Sequence, residues 1–241
     1  IKSSAASDVY KRQITAQDVQ ELEEAKADFT QLEAWHNYYP RPETGLDYQW
    51  YAKKNRWLKE QGFTIQGFVP GDKDLRGPVY QGLPTLEKHR NIHPLAAAIE
   101  LAACQTDLVY IGDGGLSEEV REQFLIYQQE QSILLHIDVI DHEFCEYVLG
   151  NHTNRQDDAR DVLRSADARF REIPYIPVRD TNERKKGSVT LDNEKYCRYM
   201  GEIQITKRDL PADGKVNRVA RVIEEELPLL EQIPVSYTHL T

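Results

Sequence analysis

An α/β region built on a parallel sheet, followed by a mainly β region, is the fold class this 241-residue sequence predicts. Three observations lead there. Short apolar runs at 32–35, 63–69 and 107–111 alternate with stretches of helical periodicity, the pattern of a parallel sheet with crossover helices. The turns after all three runs concentrate Gly, Pro, His and charge. From Ser132 onward the texture changes to shorter alternating runs separated by turns.

The elements follow in order. Val19, Leu22, Ala25 and Phe29 recur at helical spacing among acidic residues, so 17–29 reads as an amphipathic helix. The run 32–35 is a short buried strand. A second helix, 46–61, carries Trp50, Lys53, Lys54 and Trp57 and stops near Gly62, before a strand at 63–69 that Pro70-Gly71 closes. A long polar loop then leads to an Ala-rich helix at 94–104 and the third strand at 107–111. Ser117 suits the cap of a helix running to about Gln129. In the second region, 132–139 and 199–207 read as strands, Lys186-Gly187 as a turn into a strand at 188–191, and 224–230 as a short closing helix. The Asp138-Val-Ile-Asp-His142 stretch reads as a strand end with a turn rather than a metal site.

Both ends look foreign to this organisation. Met200 is the single methionine. Ser7 to Gln13 back-translates to TCA GAT GTG TAT AAG AGA CAG, and the opposite strand of that DNA encodes Val-Ser-Tyr-Thr-His-Leu, the sequence of 235–240. One element read on both strands accounts for both termini and resembles a transposase sequencing adaptor. Residues 1–13 and 235–241 are therefore expected to be adaptor-derived, with a first domain at 14–129 and a second at 130–234.

Composition excludes several classes. With 30 Lys+Arg against 40 Asp+Glu and a net charge of −10, the chain is no general nucleic-acid binder, whose affinity comes from neutralising phosphates. Forty per cent hydrophobic residues suffice for a packed core. Cys104, Cys145 and Cys197 form neither a disulfide framework nor a zinc pattern, which favours a reducing cytoplasm. No apolar run approaches the roughly 20 residues of a membrane span. No cofactor, metal or membrane partner is expected, and the sequence leaves the oligomeric state open.

Ligands of parallel α/β folds bind at the C-terminal ends of the strands, in the loops leading to the helices. Here those loops carry carboxylates (Glu43, Glu87, Asp113), guanidiniums (Arg41, Arg76, Arg90), imidazoles (His36, His89) and an apolar platform (Trp35, Tyr38, Tyr39). That combination suits a charged sugar. Glycoside hydrolysis ordinarily needs two carboxyl groups, one protonated and one ionised, and Glu87 and Asp113 are the candidates. Each also has a structural reading: Glu87 as an ion pair among Lys88, His89 and Arg90, and Asp113 as the cap of a Gly-rich turn. Arg41, Arg76 and Arg90 are candidates for bidentate phosphate contacts. His36 and Asn37 follow directly on a strand, where ligand-contacting residues and backbone-bonded histidines are both common. Gly112-Asp-Gly-Gly115 lacks the Lys-Ser/Thr of a P-loop and the spacing of a dinucleotide fingerprint.

The runs His36-Asn-Tyr-Tyr-Pro-Arg-Pro-Glu-Thr-Gly-Leu46, Gly82-Leu-Pro-Thr-Leu-Glu-Lys-His-Arg90 and Ile111-Gly-Asp113 closely resemble the 6-phospho-N-acetylmuramidase family, long grouped with uncharacterised or outer-surface proteins. In the second half, His152-Thr-Asn-Arg-Gln-Asp157, Val162-Leu-Arg-Ser165, Leu191-Asp-Asn193, Tyr196-Cys-Arg-Tyr-Met-Gly-Glu-Ile-Gln-Ile205 and Val216-Asn217 are similar to its C-terminal domain. The resemblance implies a (β/α)8 TIM barrel followed by a cyclophilin-like β domain in the bacterial cytoplasm. The implied reaction is cleavage of the β-1,4 bond of 6-phospho-N-acetylmuramyl-N-acetylglucosamine in peptidoglycan recycling. His36, Asn37, Tyr39, Arg41, Arg76, His89 and Arg90 of the strand-end loops are the substrate-binding candidates of the first domain, and the matching motifs add Arg155, Tyr196, Tyr199 and Glu202 of the second. Tyr196 and Tyr199 also fit as packing residues of a β core. Glu43 departs from the family pattern, where the position varies. A full barrel needs about 250 residues, so only its last three β/α units are expected here, in a fragment that is inactive and poorly stable by itself. The alternatives are a non-catalytic phospho-sugar-binding or regulatory protein and, third, an outer-surface role.

Overall fold

The computed structural model describes residues 14–233 and the backbone of 239–240; the adaptor-derived stretches expected at 1–13 and 235–241 lie almost wholly outside these residues. The chain divides into two compact units, the first ending at Ser117 and the second starting at Glu118. By its contacts the helix at Glu118–Glu130 groups with the second unit, so the division falls ahead of the point where the sequence pattern changes.

The first unit is a three-stranded parallel sheet in the order β1 (Glu33–Trp35), β2 (Thr64–Val69), β3 (Leu108–Ile111). Helix α1 (Ala16–Glu24) precedes β1, α2 (Tyr48–Glu60) joins β1 to β2, and α3 (Pro94–Ala103) joins β2 to β3. Thr15 and Asp18 form a reciprocal capping box at the start of α1, and Asp47 accepts the Trp50 N–H to start α2. Helix α1 is shorter than its apolar spacing predicts. It stops at Ala25, Lys26 turns left-handed with φ 56°, and Phe29 sits in a separate 3-10 turn. Phe29 nevertheless reaches the core, edge-on to Phe63 in a cluster with Val19, Ala34, Leu58 and Ile65.

Alternation along β1 sets what each sheet face does. Ala34 is buried on the helix side, whereas Trp35 is 67% exposed on the other. That second face carries an aromatic row: Trp35 stacks on Phe68 at 5.9 Å, and Phe68 meets Tyr110 at 5.8 Å and Tyr38 at 5.2 Å. Leu108 and Tyr110 are exposed as well.

The second unit holds α4 (Glu118–Glu130) and a five-stranded antiparallel sheet. In chain order its strands are β4 (Ile137–Val139), β6 (Val162–Arg164), β7 (Ser188–Asp192), β8 (Ile203–Thr206) and β9 (Val216–Val222). They line up as β4-β9-β7-β8-β6. A short helix α5 (Cys145–Val148) and strand β5 (His152–Thr153) lie between β4 and β6, and β5 pairs with the backbone of β10 (His239–Leu240). Leu163, Val189, Leu191, Ile203, Ile205, Ala220 and Val222 are buried and form the apolar side. Glu226 fastens α4 to this unit by accepting from Gln123 Nε2 at 2.8 Å, His136 N at 2.7 Å and His136 Nδ1 at 2.6 Å.

Candidate functional site

Three loops follow the strands of the first unit, and two carboxylates tie them together. Glu87, in the loop after β2, accepts the N–H groups of Glu43 at 2.8 Å and Gly45 at 2.7 Å from the loop after β1. Its two oxygens also take Arg90 Nε and Nη2, each at 2.6 Å. Arg90 is itself buried, and its guanidinium goes on to the carbonyls of Arg41 at 3.2 Å and Gly82 at 3.1 Å. Asp113, after β3, accepts N–H groups from Gly71, Arg76 and Leu83 of the loop after β2, each at 3.0 Å.

Glycine makes these approaches possible. A Cβ on Gly45 would lie 2.6 Å from Glu87 N, and one on Gly112 would lie 2.3 Å from Leu83 O. Thr85 completes the weave by accepting the Phe68 N–H at 2.8 Å and donating to Asn37 O at 3.0 Å.

This geometry matches the structural reading of both carboxylates. The Arg90 guanidinium, with the Glu43 and Gly45 N–H groups, pulls the Glu87 carboxyl down to about 2 against the opposing effect of burial. A group ionised that firmly has no proton to give near neutral pH, so in this conformation Glu87 is no general acid. Asp113 is equally engaged, with three N–H donors. Asp113→Asn is expected to turn an amide N–H₂ toward a backbone N–H and to destabilise the loops by about 2 kcal/mol. Faster amide exchange at Gly71, Arg76 and Leu83 would report it; unchanged protection there would refute the knot.

The imidazoles depart from the expectation. His36 is buried with Nε2 2.7 Å from Asn55 Oδ1, and Asn55 Nδ2 donates to Cys104 O at 2.8 Å. Burial lowers its pKa to about 4, against the raising effect of Asn55, so the ring is neutral. His36 alternates with Ala34 onto the helix side, which is why a strand-end histidine here meets α2 rather than a ligand. The His89 side chain is fully buried, with Nε2 2.7 Å from Glu100 Oε2. The polar groups of His36, His89 and Arg90 are thus engaged within the unit, by Asn55, Glu100 and Glu87 respectively.

Of the substrate-binding candidates in these loops, Asn37, Arg41 and Arg76 are exposed and Tyr39 is half-buried. Arg76 donates to Gly112 O at 3.2 Å and lies over the Tyr38 ring at 5.6 Å. The first unit thus offers a tied loop platform with two exposed guanidiniums, of which Arg76 stands beside the aromatic row.

In the second unit, Tyr196, Tyr199 and Glu202 come together. The 3-10 segment Glu194–Tyr199 replaces the expected start of a strand, and Cys197 in it has φ 54° and ψ −113°. Tyr196 and Tyr199 stand edge to face at 6.3 Å, with Arg198 over Tyr199 and Lys215 over Tyr196. Ile173, Arg198, Tyr199 and Glu202 help line a cleft of about 500 Å³. Arg164 Nη2 is 3.9 Å from Glu202 Oε2, and Arg155 pairs its N–H with Arg164 O at 3.0 Å. Two buried asparagines anchor this corner. Asn193 Nδ2 donates to Asn217 Oδ1 at 2.9 Å, and Asn217 Nδ2 donates to Pro177 O at 2.8 Å. Sequence reasoning missed Asp192, between Leu191 and Asn193: it is 4% exposed and opposes Glu202, its N–H donating to Glu202 O at 3.1 Å.

Both units have counterparts among known proteins. The family model described as 6-phospho-N-acetylmuramidase, N-terminal, matches residues 11–125, and its C-terminal counterpart matches 133–238. A solved structure of a conserved Enterococcus faecalis protein of unknown function is 49% identical with a TM-score of 0.87, over 95% of this chain and 63% of that one. An uncharacterised B. cereus protein of known structure is 29% identical with a TM-score of 0.71, over 93% of this chain and 66% of that one. The chain therefore spans about two thirds of the length of these relatives. No curated protein matches significantly.

Proposed function

Because the chain belongs to the 6-phospho-N-acetylmuramidase family, we propose that the full-length protein is a cytoplasmic glycosidase of peptidoglycan recycling. It cleaves the β-1,4 bond of 6-phospho-N-acetylmuramyl-N-acetylglucosamine. In this reading the first unit is the closing part of a (β/α)8 barrel and the second a cyclophilin-like domain. The observation that carries it is the match of both family halves, in order, across nearly the whole chain. The tied loops support it chemically: Arg41 and Arg76 remain open for a phosphate, and the aromatic row offers a face for a sugar ring.

One observation favours a second reading, a non-catalytic phospho-sugar-binding protein. Glu87 and Asp113 are both spent on loop N–H groups and, for Glu87, on Arg90. A hydrolase would then draw its acid and nucleophile or base from other residues of the full-length protein.

Assaying the full-length protein on the disaccharide with and without its 6-phosphate separates the readings. Hydrolysis is expected, with kcat/KM for the unphosphorylated compound lower by roughly tenfold to a hundredfold, the worth of one or two charge-assisted hydrogen bonds. Arg41→Ala and Arg76→Ala should narrow that ratio. Tight binding without turnover would establish the binding protein, and equal treatment of both compounds would remove the phosphate role.

A further inference from the structure

We propose that the second unit docks an extended segment of a partner polypeptide, which adds as a strand along the outer edge of β5 and places one aliphatic side chain in the cavity beside His152. The inference goes beyond the reaction above and does not depend on it.

The edge follows from backbone alternation. Thr153 turns its main chain toward the residues leaving β6: its N–H donates to Asp167 Oδ2 and its carbonyl accepts the Ala166 N–H at 2.8 Å. Successive residues of a strand face opposite edges, so the N–H and carbonyl of His152 face outward. An edge of this kind is a template for another chain. The structure shows it used: Leu240 pairs with His152 and His239 with Thr153, antiparallel. That strand is two residues long and lies in the stretch expected to be adaptor-derived. The edge therefore takes a strand through main-chain bonds rather than through a matched sequence, and a partner segment can replace it.

The cavity sets the side chain. Leu163, Val189 and Ile203 line it from the sheet, and Val148, Leu149 and His152 from the α5–β5 stretch. Leu149 is 49% exposed, so the cavity reaches the surface. Its volume is about 60 Å³, well below the roughly 150 Å³ that hold a benzene molecule, so the end of an aliphatic side chain fits and an aromatic ring does not.

His152 is a polar member of this lining, and its ring is already engaged: Nδ1 lies 2.9 Å from Ser165 Oγ and Nε2 2.9 Å from Val148 O. Burial, the largest effect, lowers its pKa, so the ring is neutral near pH 7 and offers no charge to a ligand. A residue paired with His152 shares its side of the strand pair, so in an added strand that position is the one directed at the cavity, and its neighbours point away. The segment the geometry selects alternates polar, aliphatic, polar, with main-chain bonds supplying affinity and the cavity supplying selectivity.

The probe is a blocked peptide, acetyl-Lys-Thr-Leu-Thr-Lys-amide, titrated by NMR into the 241-residue chain and into the same chain ended at Pro234. Slower amide exchange at His152 and shifted signals from Leu163, Val189 and Ile203 are expected. Affinity should be higher by about tenfold in the shorter chain, where no tethered strand competes. Replacing the peptide's leucine by alanine should weaken binding at least about tenfold, the worth of two buried methylene groups. Phenylalanine there should also bind less tightly than leucine. N-methylation of the leucine keeps the side chain and removes one main-chain bond to β5, and should weaken binding by about three- to tenfold. These changes are all in the peptide, so a misfolded protein cannot imitate them. Absence of binding to both chains, or binding indifferent to the leucine and to its N-methyl group, overturns the proposal. So does binding that salt abolishes without any change at His152, which would mark the lysines as its only source.

Discussion

Glu87→Ala is expected to destabilise the first unit by about 3 kcal/mol and to release the loops after β1 and β2 from one another. Removing the carboxylate strips the Glu43 and Gly45 N–H groups of their acceptor and leaves the buried Arg90 guanidinium without a counter-ion. Breaking a buried pair from one side costs about 3–5 kcal/mol. The Glu87 side chain is 32% exposed, so solvent screening brings the expectation to the lower end. Glu87→Gln should lose less, because the amide oxygen still accepts one N–H. Combining Glu87→Gln with Arg90→Met should cost less than the two single changes together, since each removes the other's reason to be charged.

The same pair fixes a pH dependence. Glu87 has an ordinary value of 4.5 and is held near 2 in the fold, so its contribution is complete above about pH 4.5 and is lost as the pH falls through about 2. Urea unfolding from pH 6 to pH 2, with amide exchange at Glu43 and Gly45, measures both effects. A Glu87→Ala protein with wild-type stability and protected amides would show that the loops are held by other means.

The first unit was largely legible in the sequence because its signals are local. Apolar runs bounded by Gly and Pro located β2, and Pro94 with the alanines that follow located α3, each within a residue or two of its observed limits. The polar residues of the loops stand out in the sequence, but the destination of each side chain does not. His36 and Trp35 are adjacent, and which one meets the helices depends on strand alternation relative to α2, a tertiary fact. Glu87 and Asp113 looked equally suited to chemistry and to capping. Only the approach of 43–45 and 71–83 to them shows how their lone pairs are used.

The second unit was harder for an identifiable reason. The strand β9 at Val216–Val222 went unread as a strand because Asn217 and Arg218 interrupt its apolar residues. The β7–β9 register slips between Val189 and Thr190, so its buried positions do not follow a period of two. The predicted strand at 132–139 shrinks to Ile137–Val139, since the preceding residues are held by Gln123 and Glu226 rather than by a neighbouring strand. Asp192 sits inside a resembling motif and gives no local sign of its burial, since it ends β7, which lies between β9 and β8 in the sheet.

Asp192→Asn is expected to stabilise the second unit at pH 8, by on the order of 2–4 kcal/mol, and to leave it unchanged near pH 3. The unfolded carboxyl titrates near 3.8 and the folded one near 7. Between those values the folded state holds a proton that the unfolded state has lost, so stability falls as the pH rises through this window, and the whole penalty persists above pH 7. A difference of about three pKa units corresponds to roughly 4 kcal/mol, an upper bound once Arg164 and Arg184 relax toward the charge. Asparagine has the same shape without the charge and can donate to Glu202, which removes both the desolvation and the repulsion. Thermal unfolding of the whole chain at the two pH values reads this directly, as a rise of at least about 5 °C at pH 8. Equal stabilisation at both pH values, or none at pH 8, would show that the carboxyl is not strained in the fold.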